Sequence, residues 1–264
     1  MKQRQVEYFK TWFDDYVASF YGDDEFINAN IELKDKHSRR VCEEMNYLTN
    51  ALNLTDNQKR IAEVIAILHD IGRFEQFVTY RTYNDPRSVN HCKLGIEILK
   101  KSKILKDVDP QEKKLILTAI GLHGRRELPA SLDGDGLLFS QMIRDADKID
   151  IYYVVTSYYK QYQQDPDAFK LEIELPDEPE YLPEVVEKIL IGERIDYRSL
   201  RTWNDMKLCQ LSWVYDINFA ATLKRITEKG YIKLIVSYLP QTEDIEKAHR
   251  KIRDYMDERM KKGI

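Results

Sequence analysis

The chain has 264 residues, of which 43% are hydrophobic and 33% charged, with a formal net charge of −4. This length and hydrophobic content are enough for a buried core and argue against intrinsic disorder. The two signs of charge are mixed, which argues against a non-specific nucleic-acid binder, so we expect any preference for phosphate to come from a local site.

The N-terminal segment carries acidic residues and has no long apolar run, so it does not read as a signal peptide. No stretch reaches the ~18 consecutive apolar residues of a membrane span. Cys42, Cys92 and Cys209 are odd in number and far apart, which is typical of reduced thiols. These features predict a cytoplasmic protein with no membrane partner.

Helical signals dominate the sequence, because glycine and proline are few (10 and 8) and alternating strand-like runs are rare. Thr55 with Gln58 three residues later is a capping-box pattern that opens a helix towards His69, and Gly72 is expected to end that helix. Asp109 followed by Pro110 opens another helix, which runs towards His123. The sequence therefore predicts an all-α fold.

Further helices are predicted from their periodicity, over about 2–20, 35–52, 90–102, 137–161, 181–190, 199–228 and 241–262. Irregular segments are predicted around 74–89, 124–136 and 164–179. No internal repeat or low-complexity linker interrupts the chain. We therefore expect residues 1–264 to form a single α-helical domain, a compact bundle with extra C-terminal helices over about 180–264.

Four of the five histidines lie at predicted helix ends. His37 and His91 begin predicted helices, whereas His69 and His123 end them. Side chains at helix ends can converge on one point in a bundle. The pair His69-Asp70 would supply the nitrogen and oxygen donors that suit a transition metal.

The His69-Asp70 dipeptide is weak evidence by itself. It is better explained, taken alone, by His69 capping its helix while Asp70 pairs with Arg73. Three carboxylates downstream, in IRDADKIDIYY, enter an otherwise apolar predicted helix, where burial is costly without a cation. Their spacing, which also fits a solvated face, does not decide whether Asp145, Asp147 or Asp150 would be a ligand.

The order of these residues resembles the HD-domain superfamily of metal-dependent phosphohydrolases over roughly residues 30–155. The match lies in His37, then AILHDIG containing His69-Asp70, then Asp147. HDIGRFEQF followed by SVNHCKLGIEIL is similar to an uncharacterised bacterial subgroup of HD proteins. The resemblance implies an HD-domain bundle with metal ligands His37, His69, Asp70 and Asp147.

The cofactor implied is a divalent transition metal, Fe, Mn, Co, Ni or Zn, as one or two ions. In binuclear relatives, histidines placed like His91 and His123 bind a second metal, with the Asp of the pair as a bridge. In mononuclear ones they face the substrate phosphate. Both interpretations stay open beside a structural role at helix ends, and the second metal is slightly favoured because both histidines are present.

The resemblance also implies catalytic and phosphate-binding residues. Asp70 would orient the attacking water as well as bind metal, and Lys148 resembles the phosphate contact of HD deoxynucleotide triphosphohydrolases. Arg73 replaces the lysine of the common HDIGK pattern and would bind phosphate as a planar fork. Independently of the resemblance, Arg125 follows His123 closely in a predicted loop, where it could reach a phosphate or equally be a solvated loop residue. The GYP motif of cyclic-dinucleotide hydrolases is missing from the sequence, which argues against that substrate.

The predicted activity is hydrolysis of a phosphoester or phosphoanhydride in a nucleotide or other small phosphorylated metabolite. Two other functions are kept: an HD-fold di-iron oxygenase, and a non-catalytic nucleotide-binding module. The expected partner is a small phosphorylated substrate rather than nucleic acid, and a homodimer is left open.

Overall fold

The computed structural model describes residues 1–166 and 175–263. Within these residues the structure consists of α-helices and short 3-10 turns, with no strand, which confirms the all-α prediction. Two compact units divide the chain, Met1–Asp150 and Ile151–Ile264, and their boundary falls inside one long helix. The single-domain interpretation stays a prediction.

The first unit holds six helices and the start of a seventh. They are α1 (Gln3–Ala18), α2 (Glu25–Ala51), α3 (Asp56–Leu68), α4 (Ile71–Tyr80), α5 (His91–Ser102), α6 (Pro110–Leu122) and α7 (Gly134–Gln164). Both predicted helix starts are present. Gln58 N donates to Thr55 Oγ1 at 3.3 Å, and Asp109 Oδ1 accepts from the first backbone amides of α6. Each cap satisfies amides that have no partner within the helix.

Two helix predictions in this unit are wrong, and a third helix begins about three residues earlier than expected. α2 begins at Glu25 rather than near 35, because Asp24 caps it by accepting from two backbone amides, so His37 lies inside a helix. The segment 74–89 was expected to be irregular, but α4 continues to Tyr80. α7 also starts a little before the predicted end of the 124–136 loop.

Gly72 does not end α3, as the sequence suggested; it lies in the first turn of α4. A Cβ atom there would stand 2.2 Å from the carbonyl oxygen of His91 and 2.7 Å from the amide nitrogen of Gly95. Such distances are far inside van der Waals contact, so only glycine lets the backbones of α4 and α5 meet here. This close approach sets His91 beside the end of α3.

The helix α3 lies at the centre of the first unit and packs against α1, α2 and α6, while α4 packs on α5. The second half of α3, from Ile61 to Leu68, is buried except for Glu63, and Phe13 of α1 meets Phe74 of α4 edge to face. Burying such apolar side chains is the main stabilising contribution of a core. The packing brings the C-terminus of α3 next to the start of α5 and the end of α6.

In the part of the second unit that the structure describes, the rest of α7 is followed by five further helices, α8 (Pro183–Leu190), α9 (Trp203–Ser212), α10 (Ala220–Lys229), α11 (Tyr231–Ser237) and α12 (Glu243–Lys262). The helix predicted over 199–228 is interrupted, because a 3-10 turn and extended residues separate α9 from α10. Trp203 packs in a core with Tyr158 and Tyr159. Part of the irregular segment predicted at 164–179 lies outside the described residues.

The helices of the described residues were also compared with the length and apolar character that a bilayer requires. None of them is both long enough and apolar enough to cross a membrane.

Candidate metal centre

The buried carboxylate of Asp70 lies at the break between α3 and α4 and is surrounded by four histidines. Its Oδ2 is 3.5 Å from His37 Nε2 and 3.7 Å from His69 Nε2. Its Oδ1 is 3.6 Å from His91 Nε2 and 3.4 Å from His123 Nε2. The two oxygens of one carboxylate therefore face two different pairs of imidazoles.

The first cluster consists of His37, His69 and Asp147, on the Oδ2 side of Asp70. Asp147 Oδ1 lies 3.2 Å from His37 Nε2 and 3.9 Å from His69 Nε2. Both Nε2 atoms are buried, and neither makes a hydrogen bond within the described residues although carboxylate oxygens lie close by. Neighbouring ligands of an ion bound at about 2.0–2.2 Å lie roughly 3.0–3.5 Å apart. These residues therefore fit a metal ion.

The second cluster consists of His91, Cys92 and His123, on the Oδ1 side of Asp70. The Nε2 atoms of the two histidines are 3.1 Å apart, and Cys92 Sγ is 3.3 Å from His91 Nε2. The ligand atoms of all three residues lie within 4.8 Å of one another, and all three residues are buried. This group is a second place where a metal could bind.

Each of the four histidines bonds an oxygen through its Nδ1 atom at 2.7 Å. The partners are Asp150 for His37, the Ala66 carbonyl for His69, Asp85 for His91 and the Ile120 carbonyl for His123. An Nδ1–H that donates to such an oxygen leaves a lone pair on Nε2. Partners of this kind orient the ring and fix its tautomer in metal sites. All four Nε2 lone pairs then face Asp70.

Asp150 and Asp85, the two carboxylates that bond histidine Nδ1 atoms, are themselves held by hydrogen bonds. Asp150 accepts from Arg40 Nε at 2.5 Å and Nη2 at 2.9 Å. Asp85 accepts from Arg73 Nη1 at 2.8 Å and from Gln76 Nε2 at 3.0 Å. Arg73, predicted to bind phosphate, thus lies between Asp85 and Asp70, with its Nε 3.7 Å from Asp70 Oδ1.

Lys34 is a residue of this site that sequence reasoning missed. Its Nζ donates to Asp70 Oδ2 at 2.8 Å, and its side chain is 17% exposed. It precedes His37 by three positions on α2, so the two side chains share a helix face. That spacing could have pointed to it. Asp85 and Cys92 were also missed, because their places depend on how a loop and α5 fold back onto α3.

The three aspartates of α7 have different positions, which the sequence left open. Asp147 faces Nε2 of His37, whereas Asp150 binds its Nδ1. Asp145 is fully buried.

The two remaining predicted phosphate contacts are Lys148 and Arg125. Lys148 follows Asp147 in α7 and is half-buried, whereas Arg125 is exposed in the segment between α6 and α7. The contacts of Lys148 and Arg125 with phosphate stay predictions.

Charges around Asp70 shift the pKa values of the first cluster. Burial raises the pKa of Asp70, but Lys34 and the histidines outweigh burial and hold it well below its usual range. Burial lowers the pKa of His69 to about 4, so this imidazole is neutral and able to act as a ligand. Burial and Lys34 also lower the pKa of His37, yet the three carboxylates beside its ring, Asp147, Asp150 and Asp70, raise it overall to about 9. The carboxylates of this cluster thus attract positive charge, either a proton or a metal ion.

The three cysteines differ in their surroundings. Burial raises the pKa of Cys92, but the histidines beside its thiol lower it overall to about 6. Burial raises the pKa values of Cys42 and Cys209 to about 12. Only Cys92, among these three, has the imidazole neighbours that stabilise a thiolate.

Comparison with protein-family models matched residues 35–152 to the HD domain. The matched segment contains all the residues of both clusters, as well as Asp70, Asp85 and Asp150. Comparisons with curated proteins and with solved structures gave no significant match. The similarity to the bacterial subgroup stays a prediction.

Proposed function

Residues 35–152 of the chain form an HD domain, and from this premise we propose a phosphohydrolase that uses two divalent transition-metal ions. HD domains bind divalent metals and typically belong to hydrolases, which suggests metal-dependent phosphohydrolase activity in general. One observation carries the two-metal proposal: the carboxylate of Asp70 presents one oxygen to each pair of histidines, at 3.4–3.7 Å.

The residues divide between the two ions. His37, His69, Asp147 and Asp70 Oδ2 would hold one ion, and His91, His123 and Asp70 Oδ1 would hold the other. Imidazole and carboxylate donors suit Fe, Mn, Co, Ni or Zn. When bound, such ions lower the pKa of a water ligand towards neutrality and polarise a phosphoryl oxygen.

Access to the site supports a small substrate. The histidine side chains are at most 7% exposed, whereas Asp147 is 20% and Lys34 17% exposed. A phosphoryl group would therefore arrive between α2 and α7, on the side of the first cluster. The opening favours the terminal phosphate of a small phosphorylated metabolite or nucleotide over a bulky polymer.

The cationic side chains would then have separate roles. Lys34 donates to Asp70, and Lys148 follows Asp147 in sequence; their charges would stabilise the negative charge that develops on the phosphoryl oxygens. Arg73 donates to Asp85, which bonds His91, so we assign it the role of positioning His91. Asp70 would orient the attacking water as well as bind both ions.

The test is phosphate release from the purified chain. The panel comprises nucleotides, sugar phosphates and aryl phosphates, each assayed with Mn, Fe, Co, Ni, Zn or Mg, beside metal analysis of the protein as isolated. We expect release from at least one compound class with a transition metal, and loss of release after chelation. Metal-loaded protein that releases phosphate from no compound contradicts the proposal.

The same samples separate the two other functions. An oxygenase would consume oxygen with iron bound, and would show a mixed-valence iron signal by EPR. A binding module would retain a nucleotide without turning it over.

The exposed Asp14 pairs with Arg39 on the surface and supplies the control variant Asp14→Asn, which should keep full activity.

A further inference from the structure

The second cluster contains a thiol that the proposed function does not use. We propose that Cys92 is a direct ligand of the ion in this cluster, which would then have two imidazoles, one thiolate and Asp70 Oδ1 as donors. Such a set selects zinc, or a similar thiophilic divalent ion, over manganese and magnesium. This inference rests on the proposed function, because it assumes that the second cluster binds metal.

Distances between the donor atoms support a shared ion. A tetrahedral ion with nitrogen ligands at ~2.05 Å and sulfur at ~2.3 Å holds nitrogens about 3.3 Å apart and nitrogen and sulfur about 3.6 Å apart. In the structure the two Nε2 atoms are 3.1 Å apart, and Cys92 Sγ lies 3.3 Å from His91 Nε2 and 3.9 Å from His123 Nε2. The three atoms thus need only small shifts to bind one ion.

The second histidine nitrogens are already engaged elsewhere. His91 Nδ1 bonds Asp85, and His123 Nδ1 bonds the Ile120 carbonyl, although Cys92 Sγ also lies 3.5 Å from it. Only the Nε2 atoms are then available as ligands beside the sulfur. Both imidazoles and the thiol are nearly inaccessible, with 6%, 6% and 3% of their residue surfaces exposed. Burial of this kind excludes competing water from a metal site.

Gly124 makes room for this arrangement. A Cβ atom on Gly124 would lie 2.9 Å from Cys92 Sγ and 3.1 Å from His91 Cε1. Any larger residue would push the thiol or the ring away from its present place. Glycine at the end of α6 therefore lets the sulfur and the imidazoles come together.

The other two thiols lack this setting. The sulfur of Cys209 contacts a backbone carbonyl at 3.8 Å, and Cys42 is only partly buried. In the metal-bound state the sulfur of Cys92 would be a thiolate and both imidazoles neutral, so any proton that the cluster holds would pass to solvent. Since thiolate is a soft donor, the second cluster would discriminate among metals more strongly than the first, whose donors are nitrogen and oxygen only.

The test uses the full chain, stripped of metal by a chelator, kept reduced, and titrated with Co²⁺. A thiolate ligand gives cobalt a charge-transfer band in the near ultraviolet, which imidazole and carboxylate ligands do not. We expect this band to saturate at one cobalt per chain, to vanish in Cys92→Ala and to persist in the matched variant Cys209→Ala. Zinc-loaded wild-type protein should show one sulfur neighbour at about 2.3 Å by X-ray absorption.

The outcomes distinguish this inference from the proposed function. If cobalt binds and phosphate is released but neither the band nor the sulfur neighbour is seen, Cys92 is not a ligand and the phosphohydrolase proposal stands. A band that survives in Cys92→Ala also overturns the inference. If the wild-type chain binds no cobalt, both proposals fail. The X-ray measurement on wild type decides the question even if Cys92→Ala does not fold.

Metal competition supplies the selectivity test. Loss of an outer-shell partner weakens metal affinity by about 10–100-fold, so loss of a direct ligand should cost at least about tenfold. We expect Cys92→Ala to weaken zinc at the second cluster by that factor while manganese affinity changes less than about threefold. Equal losses for the two metals would contradict a thiolate ligand.

Discussion

The two clusters on either side of Asp70 share a plan but differ in donors and access. Both contain two histidines whose Nδ1 atoms are fixed by oxygen partners. The first adds the partly exposed carboxylate of Asp147 and lies beside Lys34, whereas the second adds the buried thiol of Cys92. From this difference we propose that the first cluster meets the substrate, while the second binds an ion that is not exchanged during turnover.

Replacement of Asp70 should have the largest effect, because its two carboxylate oxygens face the two clusters. Asp70→Asn keeps the size of the side chain but removes a negative charge and one oxygen donor for metal. We expect phosphate release to fall to background, at least about a thousandfold, with loss of both metal equivalents. Activity measurements and elemental analysis of the purified variant test this, with circular dichroism as the folding control. A variant that keeps both ions would show that Asp70 does not bridge them.

Single-cluster variants should remove one ion each. Asp147→Asn weakens the first cluster, and His123→Gln weakens the second, while each leaves the donors of the other in place. We expect one metal equivalent per chain in each variant and a loss in kcat of about a hundredfold or more. If either variant loses both ions, or neither, the clusters are not separate sites. Titration with Co²⁺ followed by elemental analysis gives the count.

Asp150 and Asp85 lie outside the two clusters, but each bonds a histidine of one cluster, so their replacement also compares the clusters. Asp150 orients His37 of the first cluster, and Asp85 orients His91 of the second. Asp150→Asn and Asp85→Asn should each weaken metal binding by about 10–100-fold, at its own cluster only. Metal affinities measured at each cluster test this. Unchanged affinity in both variants would mean that ring orientation is set by packing instead.

How much of this could be predicted from the sequence depended on how local each signal was. Thr55 and Asp109 were identified because a cap and its amides are neighbours in sequence. Helix α4 was missed although Ile71, Phe74 and Phe77 recur at helical spacing, because Gly72 suggested a break. The role of Gly72 depends on a backbone contact with α5, which no local pattern encodes.

For the site, too, only signals that are local in sequence or carried by a known motif could be predicted. The four predicted ligands came from a resemblance, and the structure brings His37, His69, Asp70 and Asp147 within 4 Å of one another in pairs. Their role as ligands stays a proposal. The neighbours that distinguish the clusters could not be read from sequence, since they come together only through packing. Asp85 reaches His91 from a loop, and Cys92 meets His123 from another helix.

The smallest expected effect concerns Lys34, which distinguishes the clusters by charge. Its ammonium group bonds Asp70 Oδ2, the oxygen on the first-cluster side, at 2.8 Å. Lys34→Met should therefore tighten metal binding at the first cluster by about fivefold, as expected for loss of a partly screened like charge. The second cluster should change less, because Oδ1 is the oxygen that faces it. Metal titrations of each cluster test the difference.

The same substitution should weaken substrate binding, because Lys34 is also a cation at the opening of the site. We expect KM to rise roughly tenfold with little change in kcat, the pattern of an interaction made equally in ground and transition states. Lys36→Met is the matched control, since Lys36 lies on the same helix and pairs with Glu32 at 2.6 Å on the surface. The prediction is contradicted if Lys34→Met and Lys36→Met have the same KM and metal affinity. Lys34 would then contribute only to the charge balance of the fold, and the proposal that phosphate enters on the side of the first cluster would be wrong.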